Sequence, residues 1–168
     1  VSIIKVDRDG FERVSGTNIG GGTFLGLCRL LTEHTDFDQM LACSADGDNR
    51  KVDMLVGDIY GGRDYSNIGL SSNTIASSFG RVVMDGGSLL HYNKADITLS
   101  LLRMISYNIS HIATMTAVKH GLERIFFGGY FIRGHAYTMN TISFAVDYWS
   151  KGKLLSLIHI SEPTRRRG

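Results

Sequence analysis

Arg13-Val14-Ser15-Gly16-Thr17-Asn18-Ile19-Gly20-Gly21-Gly22-Thr23-Phe24 is the stretch on which the fold turns. It reads as the end of a short strand, a glycine-rich turn, and an apolar run from Phe24-Leu25-Gly26-Leu27 that opens a buried helix. Glycines between a strand and a helix let backbone N–H groups close on an anion, and the helix N-terminus adds partial positive charge. The pattern is a phosphate cradle. Spacing alone suits a kinase or a dinucleotide enzyme, so the flanking sequence must decide.

Upstream, Val1 to Val6 alternates weakly, Asp7-Arg8-Asp9-Gly10 is a turn signal, and Phe11 to Ser15 forms a second strand, giving a β-hairpin. Downstream, Thr23 to Thr32 reads as a helix. Asp36 followed at the third place by Gln39 has capping-box spacing and opens a helix to about Ser44. Val52 to Ile59 reads as helical, Ile75 to Gly80 as small and extended, and Asp85 to Asn93 as a surface loop. The longest periodic element runs from Lys94 to about Lys119, with Ile97, Leu101, Met104, Ile105, Ile109, Ile112 and Ala113 on one stripe. Gly121 stops it. Arg124-Ile125-Phe126-Phe127 is a short apolar strand halted by Gly128-Gly129, and Ala136 to about Lys153 is a further helix. Strand, glycine pair and helix make a second ligand-facing corner. No internal repeat is present.

The 168 residues are the length of one domain, and 43% hydrophobic with 20% charged residues is ordinary globular composition. The net charge of +2 leans on Arg165-Arg166-Arg167, without which the balance is slightly acidic, so no nucleic-acid partner is expected. Cys28 and Cys43 lack metal-site spacing and read as reduced thiols. No segment reaches the ~20 apolar residues of a membrane span. The chain opens on Val1 within a strand, which reads as a fragment lacking its true N-terminus. The single proline, Pro163, lies in a C-terminal string that resembles translated adapter sequence. Residues 155–168 are therefore expected to be a non-native tail, and 1–154 the interpretable domain.

Other chemistries find no support. A short-chain dehydrogenase needs Tyr and Lys on one helix face with three residues between them, whereas only two residues lie between Tyr148 and Lys151 and one between Tyr92 and Lys94. The cradle also follows a hairpin rather than opening a βαβ unit. No GxxxxGK[ST], HExxH, paired His ligands or GxSxG occurs, and His34, His91, His111, His120 and His135 read as surface or helix-end residues with no metal role. What remains is a kinase-type split site with two glycine corners. Arg13 beside the first corner offers a planar donor fork to carboxylate, carbonyl or phosphate.

Ser15 to Phe24, Val52 to Gly62, Ile75 to Gly80, Phe126 to His135 and Trp149-Ser150-Lys151-Gly152 together resemble eukaryotic type II pantothenate kinases, in order and spacing. Ile132-Arg133-Gly134-His135 is similar to the branch of plant enzymes and the larger animal paralogue, in which a phosphatase-like domain is often fused. The resemblance implies an α/β, actin-like ATPase (ribonuclease H-like) fold, of which this chain is an incomplete C-terminal half. It implies ATP-dependent phosphorylation of pantothenate to 4′-phosphopantothenate, with Mg2+, feedback inhibition by acetyl-CoA, a homodimer and a cytoplasmic location. It further implies pantothenate contacts at Ser2 and Arg13, and a phosphate-facing turn at Gly20, Gly21, Gly22 and Thr23. Gly128 falls beside the nucleotide, and Ala76, Ala145 and Trp149 fall along the pantetheine groove.

The family's carboxylate general base is expected upstream of Val1, so no catalytic residue is assigned here and the isolated chain is expected to lack turnover. The alternative is a catalytically dead pseudokinase that binds acyl-CoA as a regulatory module. Retention of Arg13, which some inactive paralogues replace, speaks for descent from an active enzyme.

Overall fold

A computed structural model describes residues 1–132 and 135–158. They divide into two compact units, one of Val1–Thr23 with the chain from Ile105 onward, the other of Phe24–Met104.

In the first unit, β1 (Ser2–Asp7) and β2 (Gly10–Gly16) pair antiparallel from Asp7↔Gly10 to Ser2↔Gly16, with an irregularity between Ile3 and Ile4. Asp7 tightens the turn by accepting the Asp9 N–H at 3.0 Å. The long helix α5 (Lys94–Lys119) crosses into this unit and stops where Gly121 takes φ +64°, the left-handed conformation a helix terminator needs. β5 (Arg124–Phe127) follows, then α6 (Ala136–Ser150), then β6 (Leu155–Ile158), which pairs parallel with β5. Strand, helix and parallel strand form a βαβ crossover. The sequence reading ended the interpretable chain at Leu154. Residues 155–158 form a strand, with Leu155, Leu157 and Ile158 on the β5 ladder.

The second unit carries most of α1 (Gly21–Thr32), α2 (Phe37–Ser44), β3 (Met54–Leu55), α3 (Val56–Ile59), β4 (Ile75–Ser77), α4 (Gly80–Asp85) and the start of α5. The expected helix over 52–59 is only its last turn. Met54 and Leu55 pair with Ser77 and Ile75, and β-pairing wins over a run too short to nucleate a helix. Asp36 caps α2 through the Gln39 N–H at 3.0 Å, as its spacing predicts. Phe24 and Phe37 meet edge to face at 5.9 Å. Burial pushes the Cys28 thiol up to about 12, which makes it an inert core group. A Cβ on Gly47 would sit 2.3 Å from the Ala95 carbonyl oxygen, so only glycine permits this approach to α5.

The polar centre of this unit is Asp53, fully buried. It accepts from Asn49 Nδ2 at 2.7 Å, from the Phe79 N–H at 3.0 Å, and from the Ser100 hydroxyl in a short contact. These donors come from the turn before β3, the turn after β4, and α5. One carboxylate thus ties three segments of unrelated sequence position, two of them through buried donors and one through a part-buried N–H. Asp53→Ala is expected to destabilise the protein by about 3 kcal/mol, since it orphans two buried donors and a part-buried one. Replacing the exposed Asp46 by Ala should stay within about 0.5 kcal/mol. Urea unfolding of both variants checks this.

Candidate functional site

The glycine turn grows from the open end of the hairpin. The Val1 carbonyl accepts the Thr17 N–H at 3.0 Å, which holds the chain leaving β2 against the start of β1. Two threonine hydroxyls then shape the loop. Thr17 Oγ1 accepts the Ile19 N–H at 3.0 Å, and Thr23 Oγ1 accepts the Gly20 N–H at 3.0 Å while donating to the Asn18 carbonyl at 3.1 Å. The helix begins at Gly21, two residues earlier than the apolar pattern predicts. The N–H groups of Gly21, Gly22 and Thr23 therefore occupy the first turn of α1, where no intrahelical carbonyl lies within reach.

Two glycines serve packing and one leaves open space. A Cβ at Gly20 would stand 3.0 Å from Val1 Cγ2, and one at Gly21 would stand 2.9 Å from Phe131 Cβ. Phe131 sits in a 3-10 turn, Tyr130–Ile132, directly after Gly128-Gly129, and Gly129 at φ +116° bends the chain there. The two glycine corners read from the sequence are thus brought together, with Gly21 and Gly128 lining the same cavity. No atom lies within 4 Å of a Cβ at Gly22 or at Gly128. Donors at the helix end with open space beside Gly22 and Gly128 make an anion-accepting arrangement.

Ser2 and Arg13 lie on adjoining strands, and Arg13 Nε donates to Ser2 Oγ at 3.4 Å. A Cβ on Gly16 would meet Arg13 Nη2 at 2.5 Å, so the guanidinium lies across a residue with no side chain. Arg13 is exposed and has no carboxylate partner among the described residues. Its remaining N–H donors are available to a ligand anion or carbonyl.

The three residues expected along a groove fare differently. Trp149 on α6 is 42% exposed and stacks on His111 of α5 at 4.3 Å. Ala145, also on α6, is fully buried and offers no ligand surface in this arrangement. Ala76 lies on β4, in the other unit. His111 is an exposed residue in the middle of α5, a surface group as the sequence suggests, and its ring stacks on Trp149. His135 caps α6, its Nδ1 facing the Thr138 N–H at 3.4 Å and the Thr138 hydroxyl at 2.7 Å. Arg133, Gly134 and the Arg165–Arg167 tail lie outside the described residues. No cluster of three metal-ligating side chains occurs among the described residues. No helix among them is long and apolar enough to cross a membrane. Sequence reasoning missed Thr17 and Phe131. The Thr17-x-Ile19 and Thr23 spacings of side chain-to-backbone turns could have flagged the former, whereas nothing local marks the latter.

A family model described as Fumble matches residues 1–161. The chain belongs to the Fumble family. It is 64% identical over 158 residues to pantothenate kinase 2 of Arabidopsis thaliana, covering 94% of this chain and 18% of that protein. To pantothenate kinase 2 of Oryza sativa it is 65% identical over 154 residues, covering 91% of this chain and 17% of that protein. Against pantothenate kinase 1 of Arabidopsis thaliana it is 62% identical over 154 residues, covering 91% of this chain and 40% of the relative. This member of the Fumble family thus spans well under half the length of these curated relatives, and it is α/β in architecture.

Two stability predictions follow from the site's geometry. Gly21→Ala is expected to cost about 1–3 kcal/mol by overpacking against Phe131, whereas Gly22→Ala, in open helical space, should stabilise by about 0.5–1 kcal/mol. Thermal melting of the pair separates a packing glycine from an open one. For His135, burial lowers the pKa, so the native state favours neutral imidazole, the form whose Nδ1 can accept a cap bond. Its contribution is complete above the unfolded value near 6.5 and is lost as pH falls from there through the folded value. Urea midpoints measured from pH 7.5 to 5 should decline, and His135→Asn, a cap that does not titrate, should flatten the decline.

Proposed function

We propose that this chain is the phosphate- and substrate-facing part of a pantothenate kinase. In this reading the enzyme transfers the γ-phosphoryl group of ATP to the hydroxyl of pantothenate, forming 4′-phosphopantothenate for coenzyme A synthesis. The hydroxyl oxygen forms a bond to phosphorus, the bond to the bridging oxygen breaks, and ADP leaves with that electron pair. The hydroxyl proton passes to a general base that we assign to the part of the polypeptide preceding Val1. The observation that carries the reading is the helix N-terminus at Gly21, Gly22 and Thr23, together with an exposed arginine with unspent donors on the strand that leads into the turn. Names of relatives above 60% identity support the same activity.

Each residue receives a role in this proposal. Gly21, Gly22 and Thr23 offer backbone N–H groups to the ATP phosphates, and Gly20 holds the loop through Thr23 Oγ1. Gly128 lets the nucleotide approach the second corner closely. Arg13, steadied by Ser2, holds the pantothenate carboxylate or a carbonyl through its planar fork. Positioning and charge neutralisation make up most of phosphoryl-transfer catalysis, which is what these groups supply. Mg2+ would travel on the ATP phosphates. The described residues provide no ligand cluster for it, so no step is assigned to it here.

The same reading extends to an actin-like ATPase fold, a cytoplasmic homodimer and control by acetyl-CoA. The exposed Met115, Val118, Phe144 and Tyr148 on α5 and α6 support the dimer. The exposed Trp149 ring supports acyl-CoA contact.

The test uses the longer polypeptide containing this chain, with labelled pantothenate and Mg-ATP. Turnover is expected, and Arg13→Ala should lower kcat/KM for pantothenate by about 100-fold, near 2.7 kcal/mol, while leaving ATP affinity unchanged. Arg13→Lys should recover only part of the loss. ATP binding without pantothenate phosphorylation would overturn the kinase reading in favour of a regulatory pseudokinase.

A further inference from the structure

Arg13 and Gly16 stand three apart on β2, and in a regular strand residues three apart project from opposite faces. Yet a Cβ on Gly16 would lie 2.5 Å from Arg13 Nη2 and 3.4 Å from its Cζ, so the two share a face. The register explains how. Ser2 stands opposite Gly16, Ile3 opposite Ser15 and Ile4 opposite Arg13, which leaves Val14 with no residue across from it. Val14 is the extra residue of a β-bulge, and one extra residue shifts the alternation of everything beyond it by one. Ser2 and Ile4 are two apart on β1 and point the same way, so their partners Gly16 and Arg13 do as well. The bulge thus turns Arg13 onto the face of Ser2 and Gly16.

On that face the arginine is held at two points. Its Nε donates to Ser2 Oγ at 3.4 Å, and its Nη2 end lies over Gly16. Backbone conformation does not demand a glycine at 16, because its φ is not positive. What excludes a side chain there is space. The Cβ position is 2.5 Å from the Arg13 head and 2.7 Å from the Val1 carbonyl oxygen. That carbonyl is fixed by the Thr17 N–H it accepts at 3.0 Å, whereas the exposed arginine head is free to swing. A methyl group added at 16 therefore displaces the guanidinium first.

The orientation of this head matters more than its charge. A long exposed side chain samples many rotamers, and that freedom is lost when it clamps a ligand. Restricting it before the ligand arrives is preorganisation, and it favours binding. A planar fork also grips a carboxylate or a carbonyl only when its plane is aimed at the acceptor. With Nε committed to Ser2, the Nη groups keep their hydrogens for a ligand. One bulge, one hydroxyl and one absent side chain supply the restriction.

We propose that Gly16 and the bulge at Val14 are positioning elements for Arg13. The bulge brings the arginine to the face of Ser2, and the bare Cα of Gly16 lets its fork settle there in the orientation that grips the acid substrate. Neither residue touches the substrate itself. The inference rests on the reading of Arg13 as the arginine that binds pantothenate. Gly16 is a glycine for a different reason from Gly20 and Gly21, which admit Val1 and Phe131.

The test is a double-mutant cycle in the longer polypeptide. Gly16→Ala is expected to lower kcat/KM for pantothenate by about tenfold or more and to leave KM for ATP within about twofold, whereas a merely structural loss moves both. In the Arg13→Ala background the same substitution should change kcat/KM for pantothenate by less than about twofold, because it acts through a side chain that is gone. Full additivity of the two losses overturns the proposal. So does a silent Gly16→Ala where Arg13→Ala is impaired. Deletion of Val14 serves if Gly16→Ala does not fold. It makes the pairing regular, separates Arg13 from the face of Ser2 and Gly16, and should reproduce the Arg13→Ala loss with KM for ATP held; wild-type kinetics there overturn the proposal. If Arg13→Ala itself leaves pantothenate phosphorylation intact, the functional reading fails, and a crystal structure of the Gly16→Ala variant decides the positioning role. A guanidinium lifted off Ser2 supports it, and one that has not moved overturns it.

Discussion

The missing side chain at Gly21 is the constraint on which the site depends. It lets the first turn of α1 approach Phe131 to a distance that a Cβ would foreclose, and so sets the helix N-terminus against the segment that follows β5. Gly20 does the same against Val1, with Thr23 Oγ1 and Thr17 Oγ1 stitching the intervening loop. Four elements distant in sequence converge on this point: the start of β1, the end of β2, the end of β5 and the start of α1. Donors for an anion arise there without any basic side chain, because the peptide groups of a helix terminus are unsatisfied by construction.

The other unit is organised by a different device. Asp53 is a buried carboxylate whose three donors come from three segments, and it substitutes polar bonding for the apolar contacts that short elements such as β3 and β4 cannot provide. Asp58 repeats the device near the surface. It accepts the Leu55 N–H at 2.8 Å and the Arg81 guanidinium at 2.5 Å, and these bonds hold its carboxyl below the usual range. Family membership and the site fit together in this light: a cradle of backbone donors tolerates sequence change in its surroundings so long as the glycines and the hydroxyls that shape the turn persist.

Much of the architecture was legible from local pattern. The hairpin, the α2 cap at Asp36, the long α5 and its stop at Gly121 follow from turn chemistry, capping and a 3.6-residue period, all of which act within a few residues. The 52–59 segment was misread because its helical spacing competes with pairing to Ile75–Ser77, a partner some twenty residues away. Leu155–Ile158 falls in the stretch that resembles adapter sequence and has no period of its own, and its strand form comes from the β5 ladder. Ala145, which the family resemblance places along the pantetheine groove, lies fully inside the packing.

By itself, then, the sequence determined the kinds of elements, the glycine corner and the arginine beside it, since propensities, caps and periods are local physics. Tertiary structure alone decided which glycine packs and which stays open, and that Arg13 rests on Ser2. Those outcomes depend on distances between segments far apart in the chain, and backbone donors and acceptors carry no residue-specific signature from which such distances could be read.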